Sequence, residues 1–185
     1  MSSTKVVTGK VRLSYARLFE AQSFNGSDPK YSTVILIPKS DKETLKKIRN
    51  AQAAAAEAGK DKFKNKTIPK NLATTLRDGD EDADTMQNPE YTGHFYMNVS
   101  SKNKPGVVDR DLNPIIDAGE VYSGCYARVS LNFFAYNVAG KQGISAGLNN
   151  VQKIADGEPL GGSASSPESD FGDLLDDDED DEDLI

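Results

Sequence analysis

The chain of 185 residues predicts a mainly β fold with one or two helices, arranged as a small barrel or sandwich and followed by a disordered acidic tail. Three observations carry this. Strand-like segments recur around a single amphipathic helical stretch, and several strands with one helix in about 160 residues favour a barrel or sandwich over a parallel α/β sheet. Charge is divided, because residues 1–160 hold all 22 Lys+Arg and 18 of the 29 Asp+Glu, a net of +4, while the remainder holds 11 acids and no base. The chain also ends on an unbroken acidic run (Asp176, Asp177, Asp178, Glu179, Asp180, Asp181, Glu182 and Asp183) that closes on Leu184 and Ile185. Such a run repels itself and buries no face. The domain boundary is accordingly drawn at 1–158 for the folded unit and 159–185 for a Gly/Ser-rich linker and tail.

The elements follow in order. Residues 5–19 alternate, with Val7, Val11, Leu13 and Tyr15 assigned to the core face, Lys10, Arg12 and Ser14 to the other, and Gly9 to a bend. Tyr31 to Ile37 is apolar on both faces, as in a central strand, and Pro38 ends it. Ser40 and Glu43 have capping-box spacing and open a helix that runs to about Ala58, with Gly59 as its stop. Leu45, Ile48, Ala51 and Ala55 form its apolar stripe. Residues 78–90 bring six acids and no base in a turn-rich stretch, which reads as a surface loop. From Tyr91 the period returns to two, with Tyr91, Gly93, Phe95, Met97 and Val99 on one face and Thr92, His94, Tyr96, Asn98, Ser100 and Lys102 on the other. Short extended pieces are expected at Val107–Val108 and Ile115–Ile116. Val121 to Val138 is longer than most strands and is expected to bend near Gly124. Gly140 then marks a hairpin into a last strand from Gln142 to about Asn149.

Composition excludes several function classes. One cysteine, Cys125, makes no disulfide framework and points to a reducing cytoplasm. No apolar run approaches the ~18 residues of a membrane span, and the N-terminus lacks a signal-peptide core. His94 is the sole histidine and has no second His or Cys to complete a zinc site. No phosphate loop, nucleophile elbow or Cys/His pair is present, so neither a cofactor nor a catalytic residue is assigned. Asp109 and Asp111 read as a turn with a local ion pair rather than as metal ligands.

Parity sorts the richest segment. Odd positions from Val121 to Ala135 are apolar, whereas even positions read Tyr122, Gly124, Tyr126, Arg128, Ser130, Asn132, Phe134 and Tyr136. Aromatic rings interleaved with cations suit single-stranded nucleic acid, whose bases stack on the rings while cations neutralise the phosphates. The candidate nucleic-acid-binding residues are therefore Lys10, Arg12, Tyr96, Lys102, Lys104, Tyr122, Tyr126, Arg128, Phe134 and Tyr136. Packing competes with binding for every ring, and most strongly for Phe134. The lysines at 60, 62, 64, 66 and 70 read first as a solvated loop, and Cys125 as a small core residue.

The stretches Arg12 to Phe19, Tyr31 to Lys39, His94 to Asn98, Val121 to Arg128 and Gly147 to Lys153 together resemble the tailed-phage single-stranded-DNA-binding proteins, over roughly residues 5–158. The resemblance implies an OB-fold core with an acidic arm, acting in phage replication or recombination in the host cytoplasm. The expected ligand is single-stranded DNA and the expected partners of the arm are replication or recombination proteins, for a monomer or dimer with no membrane association. Partner contact and autoinhibition fall to Phe171, Asp176 to Asp183, Leu184 and Ile185. Unlike replicative binding proteins that end in an aromatic residue, this arm ends in Leu184 and Ile185. The alternatives are an acidic-tailed chaperone-like or structural interaction protein, and a strand-annealing accessory factor.

Overall fold

A computed structural model describes residues 4–23, 28–70, 72–82 and 89–160. Tail residues 161–185, with Phe171 and the acidic run, lie outside the described residues, as do 83–88 of the acidic loop. The first alternating stretch is two strands, β1 (Lys5–Val7) and β2 (Val11–Gln22), broken at Thr8–Lys10. The chain continues through β3 (Lys30–Pro38), α1 (Lys42–Ala58), β4 (Arg77–Asp78), a short helix α2 (Gly79–Asp82), β5 (His94–Ser101), β6 (Gly106–Val108), β7 (Tyr126–Val138) and β8 (Lys141–Ala155).

Five strands close on themselves. β7 pairs with β2, β2 with β3, β3 with β5, β5 with β8, and β8 returns to β7. All of these ladders are antiparallel except β5 with β8, which meet in parallel at Ser100 and Gly147. This is an OB-like barrel, partly open where β5 and β8 diverge. Residues 73–78 fill the opening: Arg77 pairs with Tyr96, and Ala73 bridges Gly143 and accepts the Ile144 amide at 2.9 Å. The β7–β8 hairpin turns through Ala139 and Gly140 with φ of 53° and 86°. Two successive positive φ values define the turn whose twist matches paired strands, and glycine adopts the second without strain. β8 continues six residues past the predicted end at Asn149.

The core is the barrel interior. Val11, Leu13, Ile35, Ile37, Met97, Val99, Val129, Leu131, Phe133, Ile144 and Val151 are all buried there. The odd positions of β7 from Ala127 to Ala135 face it as the parity predicts, but the strand expected from Val121 begins only at Tyr126, and before it Ser123 is half-buried and Gly124 buried. Cys125 is fully buried, and that burial pushes its thiol above the usual value, so it is a core residue and not a reactive one. Helix α1 lays Leu45, Ile48, Ala51 and Ala55 against the core. Its cap differs from expectation. Asp41, not Ser40, stands at the N-cap and accepts the Thr44 amide at 3.1 Å and its hydroxyl at 2.7 Å; Thr44 Oγ1 in turn accepts the Gly9 amide at 3.0 Å. A longer-range partner for Thr44 decides between two adjacent cap-competent residues. No described helix is long and apolar enough to cross a membrane.

Tyr15 departs from its predicted place in the core. The β2–β3 register shifts between Ser14 and Arg17, and Tyr15 at φ 47° turns outward and is exposed while Ser14 is buried. A bulge inverts the alternation, as one unpaired residue must. Val7 is likewise exposed and Val6 buried, because the break at Gly9 resets parity between β1 and β2.

Candidate nucleic-acid interface

Residues paired across neighbouring strands share a face of the sheet. One row can therefore be followed around the outside of the barrel: Arg77 opposes Tyr96, Tyr96 opposes Leu36, Leu36 opposes Arg12, and Arg12 opposes Tyr126. At about 4.8 Å per strand the row spans roughly 19 Å. Its Tyr126 end is the most cationic. Lys10 Nζ stands 5.1 Å and the Arg12 guanidinium 5.7 Å from the centre of the Tyr126 ring.

The other end is aromatic. Tyr91, on a 3₁₀ turn just before β5, packs edge-on against Tyr96 with ring centres 5.0 Å apart and is hydrogen-bonded to Ser14. It thus spans from β2 to β5 across β3, and Leu36 beneath that span is fully buried although it lies on the outward row. Burial raises the Tyr91 phenol above its usual value. Tyr91 therefore supports the cluster, while Tyr15 and Tyr96 offer accessible ring surface. The sequence pattern misassigns Tyr15, and nothing in the local pattern marks the bulge that exposes it.

The remaining sequence candidates are spread over the outer surface. Lys102 and Lys104 stand at the opposite end of β5, Lys102 4.0 Å from Asp28 and Lys104 5.9 Å from the centre of the Phe19 ring. Arg128 is exposed on a shallow groove of about 280 Å³ shared with Val7, Val108, Leu112 and Gln152. Phe134 is 44% exposed on the outward face of β7, so the packing alternative does not describe it. Tyr136 is half-buried, and its hydroxyl lies against Gly143 beside Ala73, where it packs under the segment that closes the barrel. The Tyr122 hydroxyl donates to Gly157 O at 2.8 Å, with Lys153 Nζ 5.6 Å from its ring centre. Burial works against the Lys153 charge, but the Asp156 carboxylate at 2.6 Å outweighs it and holds the ammonium above its usual range.

Two other charged regions make local contacts. The lysine-rich stretch forms two 3₁₀ turns anchored by buried Phe63 against the β7–β8 hairpin, where Lys62 donates to Ala135 O and the Lys64 amide to Gln142 Oε1. In the acidic loop, Asp78 and Asp80 clasp Lys39 at 2.8 and 2.7 Å; elsewhere, after β6, Asp109 closes its own turn by accepting the Asp111 and Asn113 amides. A cleft of about 580 Å³ between that turn and the end of β8 presents Asp109, Asp111, Glu120 and Asp156 against Arg110 and Lys153. Four carboxylates to two cations disfavour a phosphate chain in this cleft, which leaves the open row as the candidate interface.

Comparison with known proteins agrees with this architecture. Residues 4–185 match the family described as Enterobacter phage Enc34, ssDNA-binding protein. A protein designated p50 of Acyrthosiphon pisum secondary endosymbiont phage 1 is 32% identical over 176 residues, covering 92% of this chain and 94% of that protein. The solved single-stranded DNA-binding protein from bacteriophage Enc34 in complex with ssDNA superposes with a TM-score of 0.71 at 26% identity, covering 85% of this chain and 90% of the other. Bacteriophage T7 gp2.5, a single-stranded DNA-binding protein, shares the fold at a TM-score of 0.60 and 13% identity, covering 92% and 94%. By the extent of its match, this chain belongs to the Enc34 phage ssDNA-binding protein family.

Proposed function

We propose that this chain is a non-enzymatic, sequence-tolerant single-stranded-DNA-binding protein of phage replication or recombination, working in the host cytoplasm. The observation that carries the reading is the outward row from Tyr126, with its two cations, through Arg12 to Tyr96 and Arg77. Such a row pairs stackable rings with phosphate-neutralising charge on the barrel wall. The ssDNA-bound state of the Enc34 relative supports the same ligand class. Lys102, Lys104, Arg128 and Phe134 extend the contact surface along the edges of the barrel. The acidic arm competes with DNA for this surface and, once displaced, recruits replication or recombination proteins.

Titration with ssDNA, duplex DNA and ssRNA of equal length at two salt concentrations tests the reading. Single strands should bind more tightly than duplex, because a duplex hides the base faces that stack. Affinity should fall with salt at a log–log slope of about −0.7 per phosphate neutralised. Equal or tighter binding to duplex overturns the stacking row.

A further inference from the structure

After β8 the chain turns back and lies along residues 122–126. The Leu160 amide donates to Ser123 O at 2.9 Å, and Tyr122 Oη both donates to Gly157 O and accepts its amide at 3.1 Å. Arg12 Nε donates to Gly124 O at 3.1 Å, and Nη2 reaches across to Glu158 O at 2.6 Å. The approach is close enough to require two glycines: a Cβ on Gly124, at φ 117°, would meet Glu158 O, and one on Gly157 would meet Gly124 O and come within 2.9 Å of the Tyr126 ring. Residues 156–160 thus form a strap whose anchor, Arg12, is also a member of the candidate DNA row.

Among the described residues Arg12 forms no ion pair; its hydrogen bonds go to two neutral carbonyls. A phosphate offers the guanidinium an opposite full charge and a two-pronged geometry, neither of which a neutral carbonyl supplies. Phosphate and strap therefore compete for one side chain. The strap also sets where the arm begins. From Leu160 to the first arm carboxylate, Glu168, is eight residues. Freed back to Ala155 that separation is 13 residues, and a longer link between two groups lowers the effective concentration of one at the other.

We propose that Arg12 is a positioning residue that exchanges partners: without DNA it holds the strap through Glu158 O, and with DNA it passes to a phosphate and releases the strap together with the root of the acidic arm. This rests on the ssDNA reading of the row. Because linkage is reciprocal, loosening the strap must favour DNA by the same factor that DNA loosens the strap.

Amide hydrogen exchange on the full chain, with and without saturating oligo(dT), tests it. The Leu160 and Gly157 amides should exchange at least threefold faster in the complex, while the β7–β8 ladder is unchanged or slower. Gly157→Ala, which forces the strap off sterically, should show fast Leu160 exchange before any DNA is added and bind oligo(dT) about twofold or more tightly. Tyr122→Phe, which removes the hydroxyl without adding bulk, should move both readouts the same way and serves if the alanine variant misfolds. Leu160 exchange that is unchanged or slowed while oligo(dT) is demonstrably bound overturns the exchange of partners. Failure of oligo(dT) to bind at all overturns the ssDNA reading beneath it.

Discussion

Replacing Tyr126 by alanine separates stacking from charge at the cationic end of the row. The side chain points outward from the first residue of β7, is half-buried, and has Lys10 and Arg12 within 5.1 and 5.7 Å of its ring centre. A base stacked on such a ring is worth about 1–3 kcal/mol, so the variant should bind oligo(dT) about 5- to 150-fold more weakly. The ring neutralises no phosphate, and the log–log salt slope should therefore stay at its wild-type value. Lys10→Ala should do the reverse, flattening the slope by about 0.7 with a smaller loss of affinity at high salt. Both outcomes come from fluorescence-anisotropy titrations at four or five salt concentrations, with thermal melts as the control for folding. Neighbouring Cys125 and Ala127 carry the core at this point and are untouched, so the melting temperature should move little. Wild-type affinity for the Tyr126 variant, or a changed slope with unchanged high-salt affinity, would refute the stacking argument.

Three further outcomes follow from the same geometry. Leu131→Ala empties a fully buried position on the inward face of β7 and should cost about 2–5 kcal/mol in denaturant unfolding; a loss below 1 kcal/mol would contradict the face assignment. Asp78 and Asp80 are held below the ordinary aspartate range, first of all by the Lys39 hydrogen bond to each, so their clasp is complete above about pH 4 and is lost as pH falls through the lower folded values. The Gly93 amide, which donates to Asp80, should report this by an NMR shift with its midpoint below 3.9; a midpoint at or above that value argues against the clasp. Truncation after Gly162 removes all 11 arm carboxylates and should tighten oligo(dT) binding at low salt, with the gain shrinking as ionic strength screens the internal contact. Unchanged low-salt affinity would leave the arm without an inhibitory role.

Much of the architecture was legible in local pattern. Period two along Tyr126 to Ala135 separated the buried from the outward residues of β7, because one wall of a barrel strand must face the core, but it failed over Val121 to Cys125, which precede the strand and bury Gly124. The helix stripe at Leu45, Ile48, Ala51 and Ala55 and the Gly140 hairpin were equally local, each set by spacing or by backbone conformation. Where pattern failed, a long-range partner had intervened. Thr44, bonded to Gly9, moved the helix cap to Asp41. The bulge beyond Ser14 arises from the β2–β3 register and sent Tyr15 outward.

By itself, then, the sequence determined the strand-and-helix composition, the inward and outward faces of β7, and the division of charge between a basic body and an acidic arm. These depend only on residue type and period. Only the tertiary structure decided which of the outward residues meet. Lys10, Arg12, Tyr126, Tyr96 and Arg77 come from four separated stretches of chain, and it is barrel closure that aligns them into one row. Strand register places Arg12 opposite Tyr126, and the return of residues 156–160 gives the same arginine its backbone partner. No local periodicity encodes either contact, because each joins residues more than 100 positions apart.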